Sequence, residues 1–149
     1  MAIFASTYDP ARRLLTTELT GTVSVADVRA WRASLERALA QISDNTAFGL
    51  ISDLSGYGFA EIAAHKELRE VIPLALAACG LRTALLDLFE GADLPIGAAR
   101  GVRCIAAAHV HHDHYKMQGY DQQIGRAHER FFSERAEAEA WIASLLGPS

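Results

Sequence analysis

Residues 109–114 contain four histidines and an aspartate, in the sequence His-Val-His-His-Asp-His. Imidazole nitrogens and carboxylate oxygens are the ligand types that bind Zn²⁺ and related ions. The segment ends an apolar run that predicts a strand, and open α/β sheets place their sites at strand ends. In an extended chain His109 and His111 point to one side, and a turn at Asp113 can fold His114 back towards them. These four residues are therefore candidate ligands of a metal ion, for which Zn²⁺ is the natural choice.

The same histidines allow other interpretations. His109 and His111 can be packed polar residues, with His112 and His114 on a solvated turn that begins a helix, because histidine needs a partner only when it is buried. The spacing H-x-H-x-D-H is also that of the metallo-β-lactamase superfamily. That superfamily resembles a longer two-sheet sandwich with further ligands downstream, whereas His128 is the sole later histidine here. We exclude membership of it and keep a smaller, independent metal-binding protein or metal-dependent hydrolase as an alternative.

A second polar segment, residues 53–59, also follows an apolar stretch. If the two preceding strands are parallel neighbours, their carboxyl ends open on one edge of the sheet, where ligands bind in open α/β folds. Asp53 could then work with one of the histidines in proton transfer. Ser55, His111 and Asp113 could also form a nucleophilic triad, but no G-x-S-x-G elbow surrounds the serine. In the simplest case, Asp53 and Ser55 bond the backbone amides of their own loop.

The first part of the chain predicts a hairpin and a helix. Residues 3–8 and 12–19 form the hairpin, closed by the turn-favouring pair Asp9-Pro10. Ser24 caps the helix, with Asp27 as its capping-box partner. Apolar and charged residues then separate onto two helix faces. The apolar face carries Val28, Trp31, Leu35, Ala38, Leu39 and Ile42, and the solvent face carries Arg29, Arg32, Glu36 and Arg37.

The middle of the chain predicts the centre of a sheet. Residues 47–54 are almost entirely apolar, as in a parallel strand buried on both faces, and the breaker-rich residues 55–58 predict a loop after it. Residues 60–79 predict a helix with a kink or restart at Pro73 and a stop at Gly80. Two further strands are expected, at residues 82–89 and 102–110, separated by an irregular loop at residues 90–101.

The last part of the chain predicts two helices and one strand. Residues 115–124 form a short helix capped by Asp113, and residues 128–132 form the strand. Ser133 is expected to cap the final helix, whose core-facing residues are Trp141, Ile142 and Leu145. Strands that alternate with amphipathic helices after a hairpin indicate one α/β sandwich domain over residues 1–149, with a mostly parallel sheet and about four helices.

This order of elements resembles the STAS-like family, in particular its SpoIIAA-like branch. The resemblance spans almost the whole chain and is carried by the opening hairpin, residues 26–31 (ADVRAW), residues 51–56 (ISDLSG), residues 130–133 (RFFS) and residues 136–141 (AEAEAW). It implies a non-enzymatic regulatory domain that binds a protein partner or a small ligand. The recognition residues that it implies are Asp53, Ser55, Gly56, Tyr57 and Phe59.

In anti-sigma factor antagonists, which this fold resembles, the strand end Asp-Leu-Ser is followed by a serine whose phosphorylation controls partner binding. Aligned on residues 53–55, the family's phenylalanine falls on Phe59 and its regulatory serine on about Ile62. No hydroxyl stands at Ile62, and residues 60, 63 and 64 are alanines. The resemblance therefore implies the binding platform without its phosphoswitch.

Bulk composition limits the partners. With 14 basic and 18 acidic side chains the net charge is −4, which gives no cationic field for nucleic acid or anionic lipid. Half of the residues are hydrophobic, so we expect a homodimer through a helix face or a sheet edge. Cys79 and Cys104 lie in apolar contexts and are expected to be reduced and buried. The sequence shows no signal peptide or membrane span, which predicts a cytoplasmic protein, and no cofactor is expected apart from Zn²⁺ in the metal alternative.

Overall fold

The computed structural model of the protein describes residues 2–84 and 96–147. Its elements are β1 (Ile3–Asp9), β2 (Leu14–Val23), α1 (Val25–Ala40), β3 (Ala47–Asp53), β4 (Tyr57–Phe59), α2 (Ile62–Ala77), β5 (Arg103–Val110), α3 (His114–Ile124), β6 (Glu129–Phe132) and α4 (Arg135–Leu146). In these residues the sheet has the order β1-β2-β3-β5-β6, and β4 pairs with β2. β1 is antiparallel to β2, and the other pairs are parallel. The predicted α/β fold with an opening hairpin and a mostly parallel sheet is confirmed.

Short-range hydrogen bonds produce the hairpin turn and the start of α1. A carboxylate oxygen of Asp9 accepts the amides of Ala11 and Arg12 at 3.0 and 3.3 Å. Ser24 caps α1 by accepting the amide of Asp27, whose carboxylate accepts the Ser24 amide in return. Both predictions are confirmed. These bonds could be predicted because the residues that make them are close neighbours in sequence.

The strand β3 is buried on both faces, as predicted. Leu50 packs under α1 and α2, in a core that includes Leu15 of β2 and Trp31 of α1. Its neighbour Ile51 packs on the opposite face, in a second core with Ile142 of α4. Since successive strand residues point to opposite faces, the sheet lies between two helical layers. α3 packs beside β6, the last strand in the sheet order given above.

The helix α2 continues through Pro73, so of the two predicted outcomes the restart does not occur. It runs from Ile62 to Ala77 without a restart, although Pro73 lies inside it. The apolar residues around this proline are buried, and that packing outweighs the hydrogen bond that proline cannot donate. The predicted stop is confirmed, because Gly80 adopts a left-handed conformation (φ +78°) and the Leu81 amide donates back to the Leu76 carbonyl.

Two further predictions near the sheet edge were wrong. Residues 57–58 were expected in a loop, but Tyr57–Phe59 form β4, because Gly21–Val23 at the end of β2 extend past β3 and offer it a parallel partner. Ser133 does not cap α4. The cap position is Glu134, whose side chain makes no capping bond, and the Ser133 hydroxyl lies 2.9 Å from Nδ1 of His114 instead.

The buried face of α4 differs from its prediction at one residue. Ile142 is buried, as predicted, but Leu145 is 39% exposed. These two residues are three apart, and the contact of α4 with β3 and β5 covers only the side of the helix that carries Ile142. Leu145 therefore lies at the border of the buried stripe.

The predicted strand at residues 82–89 lies mostly outside the described residues, and residues 82–84 are not in a strand. The predicted loop at residues 90–101 is described from residue 96, where Ala98 forms an antiparallel bridge with Cys79. Cys79 and Cys104 are buried free thiols, as predicted. None of the helices within residues 2–84 and 96–147 is long and apolar enough to cross a bilayer.

Candidate functional site

β3 and β5 are parallel neighbours, which was the condition set for their polar ends to share an edge, and their carboxyl ends meet at one edge of the sheet. Asp53 pairs with Val110, and the Leu54 amide donates to the Val110 carbonyl over 3.0 Å. Residues 53–59, which we call the recognition segment, therefore lie beside residues 109–114, which we call the histidine segment. The two polar segments found in the sequence form one edge of the molecule.

The backbone of the recognition segment is fixed at several points. Asp53 accepts the Ser55 amide at 3.0 Å, which is the simplest of the roles considered for this carboxylate. The Gly56 amide donates to Nδ1 of His112 at 3.1 Å, and the Gly56 carbonyl accepts the Gly21 amide at 3.3 Å. Gly56 has a φ of +78°, a conformation that other residues adopt at a cost. With β4 also paired to β2, the segment forms a platform that hydrogen bonds hold at each of these points.

Tyr57 and Phe59 contact a histidine to which the sequence assigned no role. The Tyr57 hydroxyl lies 3.5 Å from Nδ1 of His65, and the Phe59 ring centroid lies 4.7 Å from that of His65. On its other side, Tyr57 meets His111 edge to face at 6.1 Å. Burial raises the pKa of Tyr57, which keeps its hydroxyl protonated. Phe59 differs from Tyr57 in being 47% exposed.

The electrostatic environment keeps two of these histidines neutral. Burial lowers the pKa of His65, and the positive charges of Arg69 and Lys116 lower it further. Burial also lowers the pKa of His111, together with His112 and Lys116, and these effects outweigh two nearby carboxylates. The rings that pack around Tyr57 are therefore uncharged near neutral pH.

Backbone hydrogen bonds fix the tautomers of His111 and His112. Nδ1 of His111 accepts the Asp113 amide at 3.1 Å, and Nδ1 of His112 accepts the Gly56 amide at the same distance. The two rings stack with their centroids 4.2 Å apart. In each neutral ring the proton must then lie on Nε2. In both rings Nδ1 already accepts an amide and Nε2 carries the proton, so neither ring has a free lone pair for a metal ion in this arrangement.

The other two histidines of the histidine segment face different partners. Nε2 of His109 lies 2.8 Å from Oε2 of Glu129, whose Oε1 accepts the Ala84 amide at 3.0 Å. His114 contacts Ser133. Within residues 2–84 and 96–147, no three His, Cys, Asp or Glu side chains are grouped so that they could hold a metal ion. The structure therefore does not bring the four predicted metal ligands together.

Glu129 is a buried acid that the sequence reasoning missed. Burial by itself raises its pKa, but the hydrogen bond and charge of His109 and the Ala84 amide outweigh burial, so its pKa lies below the usual value. The carboxylate is therefore ionised next to His109. Since these residues lie on different strands, only the register between β5 and β6 reveals the pair. The one sign of it in the sequence is that Glu129 stands two residues before Phe131 in the last strand, which places both side chains on the same strand face.

The catalytic arrangements considered for this edge are not assembled. One oxygen of Asp53 bonds the Ser55 amide, and the other lies 3.7 Å from the Arg135 guanidinium, so neither is committed to a histidine. His111 bonds the backbone amide of Asp113, whereas the Asp113 side chain caps α3. The geometry needed for proton transfer through Asp53 or for the Ser55 triad is absent from the described residues.

A solved structure resembles this chain over nearly its whole length. It is that of an uncharacterised protein of the DUF3478 family with a SpoIIAA-like fold from Shewanella loihica PV-4. The TM-score is 0.52, the sequence identity is 14%, and the match covers 95% of each chain. The chain has a SpoIIAA-like fold. No family model and no curated protein matches the sequence. The likeness to the solved structure confirms the predicted resemblance for the fold alone.

In this SpoIIAA-like fold, the position that aligned with the regulatory serine is the first residue of α2. Ile62 stands there and is 69% exposed. The position is open to solvent, but its side chain cannot accept a phosphate. Beside it, the recognition segment keeps an exposed aromatic ring at Phe59.

Proposed function

We propose that this SpoIIAA-like domain is a non-enzymatic regulatory domain that binds a protein partner through the recognition segment. The observation that carries the proposal is Phe59, a large apolar ring left 47% exposed on a backbone that β2, Asp53 and His112 hold in place. Aromatic side chains are enriched at binding hot spots. A preformed segment also loses little conformational freedom when it binds, which favours affinity.

The surroundings of Phe59 suit a protein surface better than an enclosed ligand site. The exposed residues Gly56, Phe59 and His112 form an apolar and polar mixture, typical of an interface centre with its rim. A small ligand is the alternative occupant. We place the domain in the cytoplasm, where free thiols such as those of Cys79 and Cys104 stay reduced.

The test compares partner capture by the full chain and by Phe59→Ala. Tyr57→Ala is less suitable, because Tyr57 packs between His65 and His111 and its loss would disturb the platform. Each tagged protein is recovered from the cells that naturally express it, and bound proteins are quantified by mass spectrometry. Tyr115→Ala is the matched control, because Tyr115 is 85% exposed at the start of α3, outside the recognition segment.

We expect one protein to be captured by the wild type and by Tyr115→Ala, and to fall at least about tenfold with Phe59→Ala. Binding of the purified pair by calorimetry should show the same loss, with melting temperatures unchanged. Equal capture by all three proteins would refute the role of Phe59. Capture of no protein, together with a small molecule that co-purifies with the wild type, would favour the small ligand.

A further inference from the structure

The outer surface of α1 and α2 contains a groove of about 570 Å³. The apolar residues that line it are Leu35, Leu39, Ala63, Val71, Leu74, Ala75 and Ala78. The groove lies on the helical layer that covers the larger core, on a different side of α2 from the ring contacts of His65. A two-helix layer with an apolar groove is a surface on which another helix can pack.

The charges along the groove balance, although the chain as a whole carries −4. Three cations and three anions line it, namely Arg29, Arg32 and Lys66 with Glu36, Glu67 and Glu70. Two pairs are satisfied within the chain, Arg29 with Glu67 at 2.9 Å and Arg32 with Glu36 at 3.5 Å. A second copy of the chain can therefore approach this surface without the repulsion that its net charge would otherwise cause.

Lys66 and Glu70 are the remaining charges of this lining, and neither forms an ion pair within the part of the chain that the structure describes. They lie one turn apart on the exposed side of α2. A two-fold axis at the level of residue 68 would place Lys66 opposite Glu70 of the second copy, and Glu70 opposite its Lys66. The same axis would place the exposed Ile62 opposite Leu74 of the second copy.

We propose that the chain forms a homodimer in which the two α2 helices pack antiparallel to each other and cover this groove. Lys66 and Glu70 form reciprocal ion pairs between the copies, and Leu74 contributes apolar contact. An isologous contact of this kind is self-complementary by symmetry. No residue of the recognition segment, residues 53–59, is among the residues that line this groove.

The test uses charge reversal followed by mixing. Lys66→Glu and Glu70→Lys each turn both inter-copy ion pairs into like-charge contacts, so each variant alone should dimerise about tenfold more weakly than the wild type. In a mixed dimer one copy carries acids at both positions and the other carries bases at both, so each contact across the axis again joins opposite charges. Sedimentation velocity over a concentration series measures the dimer, whose mass is twice 16.2 kDa.

We expect the equimolar mixture to recover the wild-type dissociation constant, which a contact within one α2 helix could not produce. Glu137→Lys, an exposed charge reversal on α4, is the matched control and should dimerise normally. Phe59→Ala should also remain dimeric, which separates this proposal from the proposed function. A monomeric wild type, a dimer unaffected by the single reversals, or a mixture that fails to recover would each overturn the proposal.

Discussion

Nε2 of His109 lies 2.8 Å from Oε2 of Glu129, and this contact links β5 to β6 inside the molecule. The Glu129 side chain is 2% exposed, and the His109 side chain is 13% exposed. The other Glu129 oxygen accepts the Ala84 amide. One carboxylate thus connects two strands and the residues that follow α2, so its removal should affect the fold more than the surface.

Replacing this acid tests that link. Glu129→Gln keeps the size of the side chain but removes its charge, so the bonds to His109 and Ala84 weaken in a site that excludes water. We expect the free energy of unfolding to fall by about 2 kcal/mol in urea titrations. Glu137→Gln, at an exposed acid of α4, should change it by less than about 0.5 kcal/mol. A fall for Glu129→Gln of less than about 0.5 kcal/mol, as expected for the control, would show that the charge of Glu129 contributes no stability.

The same residue predicts part of the acid sensitivity. Because the pKa of folded Glu129 lies below its ordinary value of 4.5, the unfolded chain binds the proton first as the pH falls. The stability from this group is fully present above pH 4.5 and is lost as the pH drops through the lower folded value. Urea unfolding between about pH 6 and pH 3 should therefore show a shallower fall for Glu129→Gln than for the wild type. Parallel curves would contradict this assignment.

Two histidines predict an earlier acid-sensitive step. The pKa values of His65 and His111 lie below the ordinary 6.5, chiefly because of burial, so unfolding is favoured once the unfolded chain becomes protonated. Stability from these groups is present above pH 6.5 and declines below it. The variant carrying His65→Gln and His111→Gln should lose this decline between about pH 7 and pH 5. His128→Gln, at an exposed histidine, serves as the control, and a decline that persists in the double variant would refute the assignment.

The backbone bond to His112 predicts a local change in dynamics. His112→Ala removes the acceptor of the Gly56 amide, so this part of the recognition segment should open more often. We expect hydrogen exchange of the Gly56 amide to quicken about tenfold by NMR, with global stability nearly unchanged. His128→Ala should leave the Gly56 amide unaffected. Unchanged exchange in His112→Ala would mean that pairing of β4 with β2 holds the segment without His112.

Two glycines predict opposite effects of the same substitution. A Cβ on Gly49 would lie 2.6 Å from Cγ2 of Ile142 and 3.2 Å from Cδ1 of Leu146, so Gly49→Ala should force α4 away from β3 and destabilise the protein by about 1–3 kcal/mol. A Cβ on Gly119 in α3 meets nothing within 4 Å. Gly119→Ala should stabilise the protein by about 0.5–1 kcal/mol, because alanine favours the helix. Thermal unfolding distinguishes the two, and a Gly49→Ala protein as stable as the wild type would contradict the packing at Gly49.

Much of the fold follows from local patterns. The capping box at Ser24 and Asp27 and the cap at Asp113 each use residues that are close in sequence, and all were predictable. The buried strand β3 was predictable as well, because a strand covered on both faces has a nearly continuous apolar sequence. Ser133 was mispredicted, since a serine before a helix can bond elsewhere when a partner such as His114 comes within reach.

The candidate site shows the limit of such patterns. The meeting of residues 53–59 with the histidine segment was predictable only on the condition that β3 and β5 are parallel neighbours, and the sheet supplies that condition through long-range pairing. The partners of each histidine were not predictable, because spacing in the sequence does not state which strand lies opposite or where a ring turns. His109 faces Glu129 and His114 faces Ser133, so side chains that are adjacent along the chain end in different environments.

The sequence by itself determined the opening hairpin, the helix caps at Ser24 and Asp113 and the two-sided burial of β3, because periodicity and capping act over a few residues. Only the tertiary structure decided that the histidines are separate partners of Glu129, Gly56 and Ser133 instead of a gathered set of ligands. Strand register and ring orientation depend on contacts between distant residues, and those contacts form only when the sheet and its helices pack together.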